Sequence, residues 1–151
     1  MTLTVRTMEF RDVTYAYDIT ARSLQEYYHI DVFSFFIRQW PLGQLVAVDI
    51  TGRVIGYLTS VRLKGNKAAI TLFAVDPLYR NEGAGSRLLT EFRIRAAMDC
   101  RSGIQLEVRS DNDIAINFYE KRGFRKMDLL PKFYNDGGDA IRMIAPSVPD
   151  S

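Results

Sequence analysis

The segment from Lys67 to Val108 constrains the fold more than any other part of the chain. It reads as a β-like run, Lys67–Val75, a glycine-bearing loop, the longest helical stretch, Gly85–Cys100, and a second β-like run, Ile104–Val108. Leu88, Leu89, Phe92 and Ala96 recur at helical spacing. Two strands joined through a helix are expected to lie parallel in one sheet, since a tight hairpin joins only antiparallel neighbours. The strands before them run the other way. Thr51-Gly52 separates Leu45–Asp49 from Val54–Val61, and Lys64-Gly65-Asn66 turns the chain into Lys67–Val75.

The remaining elements follow from spacing and punctuation. Val5–Phe10 reads as an opening strand and Val13–Leu24 as a helix. Val32–Gln39 reads as a second helix, stopped by Pro41 and Gly43. Ser102-Gly103 is expected to stop the long helix. Asp113–Arg122 is a further helix with Gly123 at the left-handed stop position. Arg125–Leu130 and Ala140–Ile144 close the sheet, joined by Pro131–Asp139. The expected order is βααβββαβαββ, an α+β fold with a mixed, mostly antiparallel sheet. Residues 1–146 form one domain, and residues 147–151 are expected to fray.

Composition narrows the chemistry. At 151 residues, 47% apolar and 25% charged, the chain suits one soluble domain without repeats or linkers. Its net charge of +2 argues against nucleic acid as the main partner. No apolar run approaches a membrane span, and MTLTVRTMEF lacks the apolar core of a signal peptide. A single cysteine, Cys100, suits a reducing cytoplasm. With one histidine, His29, far from Cys100, no zinc constellation forms and no metal is expected. Carboxylates, tyrosines, arginines and backbone must carry the chemistry.

Arg80–Ser86, RNEGAGS, sits between strand and helix, at a strand's carboxyl end where open sheets bind ligands. Gly83 and Gly85 let the backbone approach a ligand closely, and the free N–H groups and dipole of a helix start favour an anion. Arg80 adds a fixed positive fork. A pyrophosphate is the obvious occupant, and a plain turn is the alternative. Two rival phosphate motifs fit worse. Gly85 is followed by Ser86-Arg87 where a P-loop needs Lys and Ser or Thr, and a dinucleotide fingerprint needs glycine where Leu88 stands.

Three ordered segments resemble the GNAT N-acetyltransferases. Val75–Leu89, VDPLYRNEGAGSRLL, is similar to that family's acyl-CoA loop and helix. Val5–Val13 resembles its opening strand, and Asn112–Phe124, NDIAINFYEKRGF, its second CoA motif. Within the family the chain looks like the protein N-terminal acetyltransferases, which include archaeal enzymes, eukaryotic catalytic subunits and ribosomal-protein alanine acetyltransferases. Leu106–Asn112 resembles their LEVR-x-SN strand end, Phe133–Met143 their YY-x-DG-x-DA-x-x-M segment, and Ser23–Tyr28 their LPENY loop. Gln25 replaces the proline of that loop, Tyr27 its asparagine, and Phe133 one of the two tyrosines.

The resemblance implies acetyl transfer from acetyl-CoA to the α-amino group of a protein or peptide N-terminus by direct attack. It leaves room for an auxiliary subunit or the ribosome as a partner. It implies that Arg80, Asn81, Glu82, Gly83, Ala84, Gly85 and Ser86 hold the cosubstrate's pyrophosphate. The backbone of Phe73, Ala74 and Val75, with Asn112, would meet its pantetheine arm. Glu107 aligns with a general base and Tyr119 with a general acid that also touches the cosubstrate; Glu26 aligns with a second carboxylate that orients the amine. Tyr28, Phe133 and Tyr134 would grip the peptide. Each has a plainer alternative: a structural ion pair for Glu107, a solvated charge for Glu26, a packed ring for Tyr119, a helix cap for Asn112. His29 reads as structural, and Trp40, Phe33, Phe35 and Phe36 as packing. Lys67-Ala68-Ala69 carries no tyrosine or histidine, where some relatives place catalytic groups, and this shifts weight onto Glu107 and Glu26.

Acceptor chemistry is weighed by the cost of neutralising the amine. An α-amine with pKa roughly 8 costs about 1.4 kcal/mol to neutralise at pH 7, a lysine about 4.6 kcal/mol. A modest base therefore serves an α-amine. Two other functions remain open at this point: acetylation of a small amine such as a polyamine, and acyl-CoA binding without catalysis.

Overall fold

The structure, a computed structural model, describes residues 2–24 and 26–148. Gln25, at the position where the resemblance has proline, and the tail from residue 149 lie outside the described residues. The elements are β1 Thr4–Thr7, α1 Val13–Ser23, α2 Asp31–Gln39, β2 Leu45–Val48, β3 Val54–Leu63, β4 Lys67–Val75, α3 Ala84–Met98, β5 Gly103–Arg109, α4 Asp113–Glu120, β6 Arg125–Leu130 and β7 Ala140–Pro146. They form one seven-stranded sheet in the order β1-β2-β3-β4-β5-β7-β6. Every pairing is antiparallel except β4 with β5, the pair joined through α3. The α+β architecture is the expected one.

Both faces of the sheet are covered. Leu88, Leu89, Phe92 and Ala96 of α3 bury one stripe with Ile116 of α4 against Leu45, Ala47, Ile104 and Leu106. Alternate residues of the same strand, Val46 and Val48, face the other way and pack with Ala16, Ile19 and Phe33 of α1 and α2. The alternation of side chains along β2 thus supplies both cores, which is why all four of its residues are buried. Trp40 and Phe33 are core residues, as expected. Phe35 is not: it is 49% exposed, because α2 turns Phe33 and Ile37 inward and leaves position 35 off that stripe.

Several boundaries differ from the sequence reading by one to three residues, and four of them have a definite cause. β1 ends at Thr7 rather than Phe10, because Asp12 accepts the Glu9 N–H at 2.8 Å and pairs with both Nη atoms of Arg6. These bonds turn the chain into a short 3-10 turn that opens α1. α3 ends at Met98, before Ser102-Gly103. Cys100 takes a left-handed φ of 58° while Arg101 N–H reaches Ala96 O and Cys100 N–H reaches Ala97 O, a Schellman stop without glycine. α4 ends at Glu120, two residues before the expected limit, and Gly123 closes it in the left-handed conformation as expected. Ser147 is buried rather than frayed, its N–H bonded to Ser102 O at 3.0 Å.

Two features aim the sheet at a site. β4 pairs with β5 only through Lys67↔Gly103, Ala68↔Ile104 and Ala69↔Gln105. Beyond that point β4 follows β3 and β5 follows β7, so the two strands part. The parting coincides with a bulge: Thr59 pairs with Leu72 and Ser60 with Ile70, leaving Thr71 as the extra residue on β4. A bulge bends its strand. The Thr59 and Thr71 hydroxyls share a hydrogen bond at 2.9 Å, and Thr59 Oγ1 also accepts the Leu72 N–H, which fixes the bend.

Candidate active site

The parted strands open a cavity of about 420 Å³. Its walls are Ala69–Phe73 of β4 and Leu106–Arg109 of β5. Glu26 and Tyr28 of the α1–α2 loop, Asn112 and Tyr119 near and on α4, and Phe133 and Tyr134 of the β6–β7 loop complete it. Glu107, Tyr119, Glu26, Tyr28, Asn112, Phe73, Phe133 and Tyr134, scattered over more than a hundred positions of the chain, therefore meet in one place. Ala74, Val75 and Arg80–Ser86 are not among the lining residues; the Ala74 side chain is buried in the α1–α2 core and that of Ala84 under α3. A larger hollow of about 810 Å³ lies between α3, the α4–β6 turn and the end of β7. Its lining includes Lys121 but no carboxylate and no tyrosine among the described residues, whereas Glu107 and Tyr119 both line the smaller cleft.

At one end of the cleft β4 runs out at Asp76. That carboxylate is 1% exposed, takes a two-pronged bond from Arg22 of α1 at 3.0 and 2.9 Å, and accepts the Leu78 N–H. Arg22 holds its pKa down at about 2, so it is ionised throughout the physiological range. The loop then turns through left-handed Asn81 (φ 67°) and Gly83 (φ 88°), the latter serving as N-cap of α3. The first ladder bond of α3 runs from Arg87 N–H to Gly83 O, so the N–H groups of Ala84, Gly85 and Ser86 stand outside the ladder. Gly83 is required by its φ. Gly85 is not required by any clash, since a Cβ there would lie 3.5 Å from the Phe118 ring, an ordinary contact. Arg80 is exposed and reaches back to Val75 O.

Sequence reading missed a second cation at this end. Arg122, just beyond α4, stacks on Phe118 at 3.7 Å and donates to Ser86 Oγ on the first turn of α3. Its only sequence signal was a basic residue at a helix end, which any helix can carry.

At the other end, away from the RNEGAGS loop, charge is held by side chains from three separate segments. Arg109 of β5 forms an ion pair with Glu26 and a second with Asp136 of the β6–β7 loop at 3.1 Å. Its guanidinium lies 4.2 Å from the Tyr134 ring. Gly138 makes this approach possible, as a Cβ there would sit 2.5 Å from Arg109 Nη1. Glu26 is thus neither solvated nor free: it faces the cleft and is tied to Arg109. Burial raises the Tyr28 phenol and pushes Tyr134 up to about 12, with Glu26 adding to both and Arg109 opposing.

Between the two ends stand Glu107 and Tyr119. Burial lifts the Glu107 carboxyl above its ordinary range, and Arg142 of β7 partly offsets the rise. Tyr119 packs edge-on against Phe118 at 5.3 Å and Phe124 at 5.5 Å. Burial raises its phenol, so it stays protonated at neutral pH and able to donate. Asn112 caps α4 by accepting the Ala115 N–H at 3.1 Å, which leaves its amide N–H groups for the cleft. His29 is exposed and accepts the Asp31 N–H at the start of α2, a local structural role. Among the described residues no group of three or more metal-ligating side chains comes together, and no helix is long and apolar enough to cross a membrane.

Known proteins share the sequence pattern and the fold. The sequence model of the acetyltransferase (GNAT) family matches residues 9–124. N-alpha-acetyltransferase 30 of Saccharomyces cerevisiae is 31% identical, over 85% of this chain and 77% of its own length. An N-alpha-acetyltransferase of Sulfurisphaera tokodaii is 30% identical, over 94% of this chain and 92% of its own. The crystal structure of Ard1 from Thermoplasma volcanium superposes with a TM-score of 0.94 at 34% identity, covering 98% of this chain and 99% of that one. A cleft opened by parted strands, an anion-ready loop at one end and a family match over most of the length converge: the chain belongs to the acetyltransferase (GNAT) family, as an acetyl-CoA-dependent N-acetyltransferase.

Proposed function

We propose that this enzyme acetylates the α-amino group of a protein or peptide N-terminus. The observation that carries the reading is the convergence of Glu107 and Tyr119 on one cleft, between an anion-binding end and an acceptor end. The relatives' names, N-alpha-acetyltransferases, point the same way.

The residues present fit acetyl-CoA, whose thioester supplies an activated acetyl group. The N–H groups of Ala84, Gly85 and Ser86, with Arg80 and Arg122, suit its pyrophosphate. The edge of β4 from Phe73 to Val75, unpaired with β5, suits its amides, and Asn112 offers a further donor. One N–H on that edge can polarise the thioester carbonyl. On the acceptor side, Glu26, Tyr28, Phe133 and Tyr134 orient the peptide's first residue. As the amine nitrogen attacks the carbonyl carbon, Glu107 takes the proton that nitrogen loses. As the carbon–sulfur bond breaks, Tyr119 gives the sulfur its proton, and both groups then exchange with solvent. The balance is one amine and one thioester giving one amide and one thiol.

The test is to incubate the enzyme with acetyl-CoA and a mixed panel of peptides, free lysine and polyamines, and to locate the acetyl group by mass spectrometry. Acetylation of peptide α-amines is expected. Acetyl found only on polyamines sinks the reading, and cosubstrate bound without turnover replaces it with a binding module. A cytoplasmic setting and a ribosome or auxiliary subunit as partner belong to the same proposal.

A further inference from the structure

Glu107 and Arg142 are register partners across the β5–β7 ladder, so their side chains leave the sheet on the same face. Their nearest atoms, Glu107 Oε2 and Arg142 Nε, are 3.7 Å apart, too far for a hydrogen bond. Both atoms are buried, and neither has another hydrogen-bond partner. Unpaired buried polar atoms are costly and uncommon in native folds. Here two of opposite character face each other at a distance where the charge still acts, and the part of the Glu107 side chain that is exposed, with Oε1, is left to the cleft.

We propose that Arg142 is a positioning residue that favours the ionised form of Glu107 from the buried Oε2 side, while leaving the other oxygen, Oε1, to take the acceptor's proton. The inference rests on the reading of Glu107 as the base and goes beyond it. A carboxylate in so dry a wall gains a proton too readily, and a neutral carboxyl is no base. A direct, two-pronged bond from arginine would correct this but would occupy both oxygens. The 3.7 Å stand-off, on the Oε2 side alone, offsets part of the rise without occupying Oε1. Arginine suits the task because it holds its charge at every working pH.

The other groups around Glu107 do not supply this charge. Arg109, two residues along β5, is engaged by Glu26 and Asp136. Tyr119 from α4, Tyr134 from the β6–β7 loop and Tyr28 from the α1–α2 loop are neutral phenols with raised pKa values. Glu26 is an anion, and the facing wall of β4, Ala69–Phe73, bears no ionisable side chain. Asp128 of β6 is the register partner of Arg142 on its far side, yet no ion pair joins them.

The experiment follows the Glu107 carboxyl carbon by NMR through a pH titration of the full chain, beside the pH profile of kcat/KM on an α-amine peptide. Arg142→Met is expected to raise the Glu107 midpoint by about one pH unit and to move the acid limb of the profile upward equally. Arg142→Lys is expected to restore most of both. Arg142→Gln, with the same readouts, serves if the methionine variant does not fold. An unchanged or lowered midpoint in the folded neutral variant overturns the proposal. Glu107→Gln at full activity overturns the base assignment instead, so the two failures remain distinct.

Discussion

The two ends of the cleft are built by opposite means. The anion end is mostly backbone: a left-handed glycine, free N–H groups on the first turn of α3, and Asp76 fixing where the loop begins. The acceptor end is mostly side chain: Arg109 gathers Glu26 and Asp136 from loops more than a hundred residues apart and stacks on Tyr134. A backbone cradle recognises something invariant and needs few particular residues. A side-chain clamp can be retuned by single substitutions, which suits the end that must discriminate among acceptors.

The sharpest way to break this division is at its centre. Glu107→Gln should lower kcat/KM for a peptide by roughly 10²–10⁴-fold, the usual worth of a positioned base, with cosubstrate affinity by calorimetry unchanged. A fall in both would mean that the two ends are not independent. Next in size, Asp76→Asn should cost about 2 kcal/mol of stability, because Arg22 loses its buried charged acceptor. The pH dependence has a definite sign. The folded pKa of about 2 lies below the ordinary aspartate value of 3.8, so the wild-type contribution is full above about pH 4 and is lost as pH falls through about 2. Denaturant melts of the two proteins should therefore differ at pH 7 and converge in strong acid.

Smaller effects sharpen the contrast. Gly83→Ala forces a side chain into φ 88°, a strain of about 1–2 kcal/mol, and should weaken cosubstrate binding roughly tenfold while leaving the acceptor KM alone. Arg109→Met should do the reverse, raising the acceptor KM by about 3–10-fold with cosubstrate Kd unchanged, since a partly exposed ion pair of this kind is worth about 1 kcal/mol. If both variants move both constants, the division between backbone end and side-chain end fails.

The same division decided what could be read from the sequence. Every strand and helix was legible, because periodicity and turn residues are local signals, and RNEGAGS was legible because a helix start and its glycine are adjacent in the chain. The termini of β1 and α3 were misplaced because Asp12 works through Arg6 and because Cys100, not a glycine, takes the left-handed stop. At the site, Glu107 and Tyr119 lie twelve residues apart on one strand–helix unit, and their meeting could be anticipated. The ties of Glu26 to Arg109 and of Glu107 to Arg142 could not. The first depends on where the α1–α2 loop meets β5, and the second on which strands are neighbours, since the order β5-β7-β6 is not the order of the chain.

The early parting of β4 from β5 has a consequence for the molecule as a whole. Past Ala69 and Gln105 the sheet lacks the rungs that would join its halves, so that stretch is a ladder awaiting a third rail. A guest with amide groups along an extended chain can complete the ladder, and only while it stays extended. Selection at this gap therefore acts on conformation as well as on charge. Occupancy and folding become linked: at a hundredfold excess over Kd, such a guest adds about 2.7 kcal/mol to the stability of the fold that holds it.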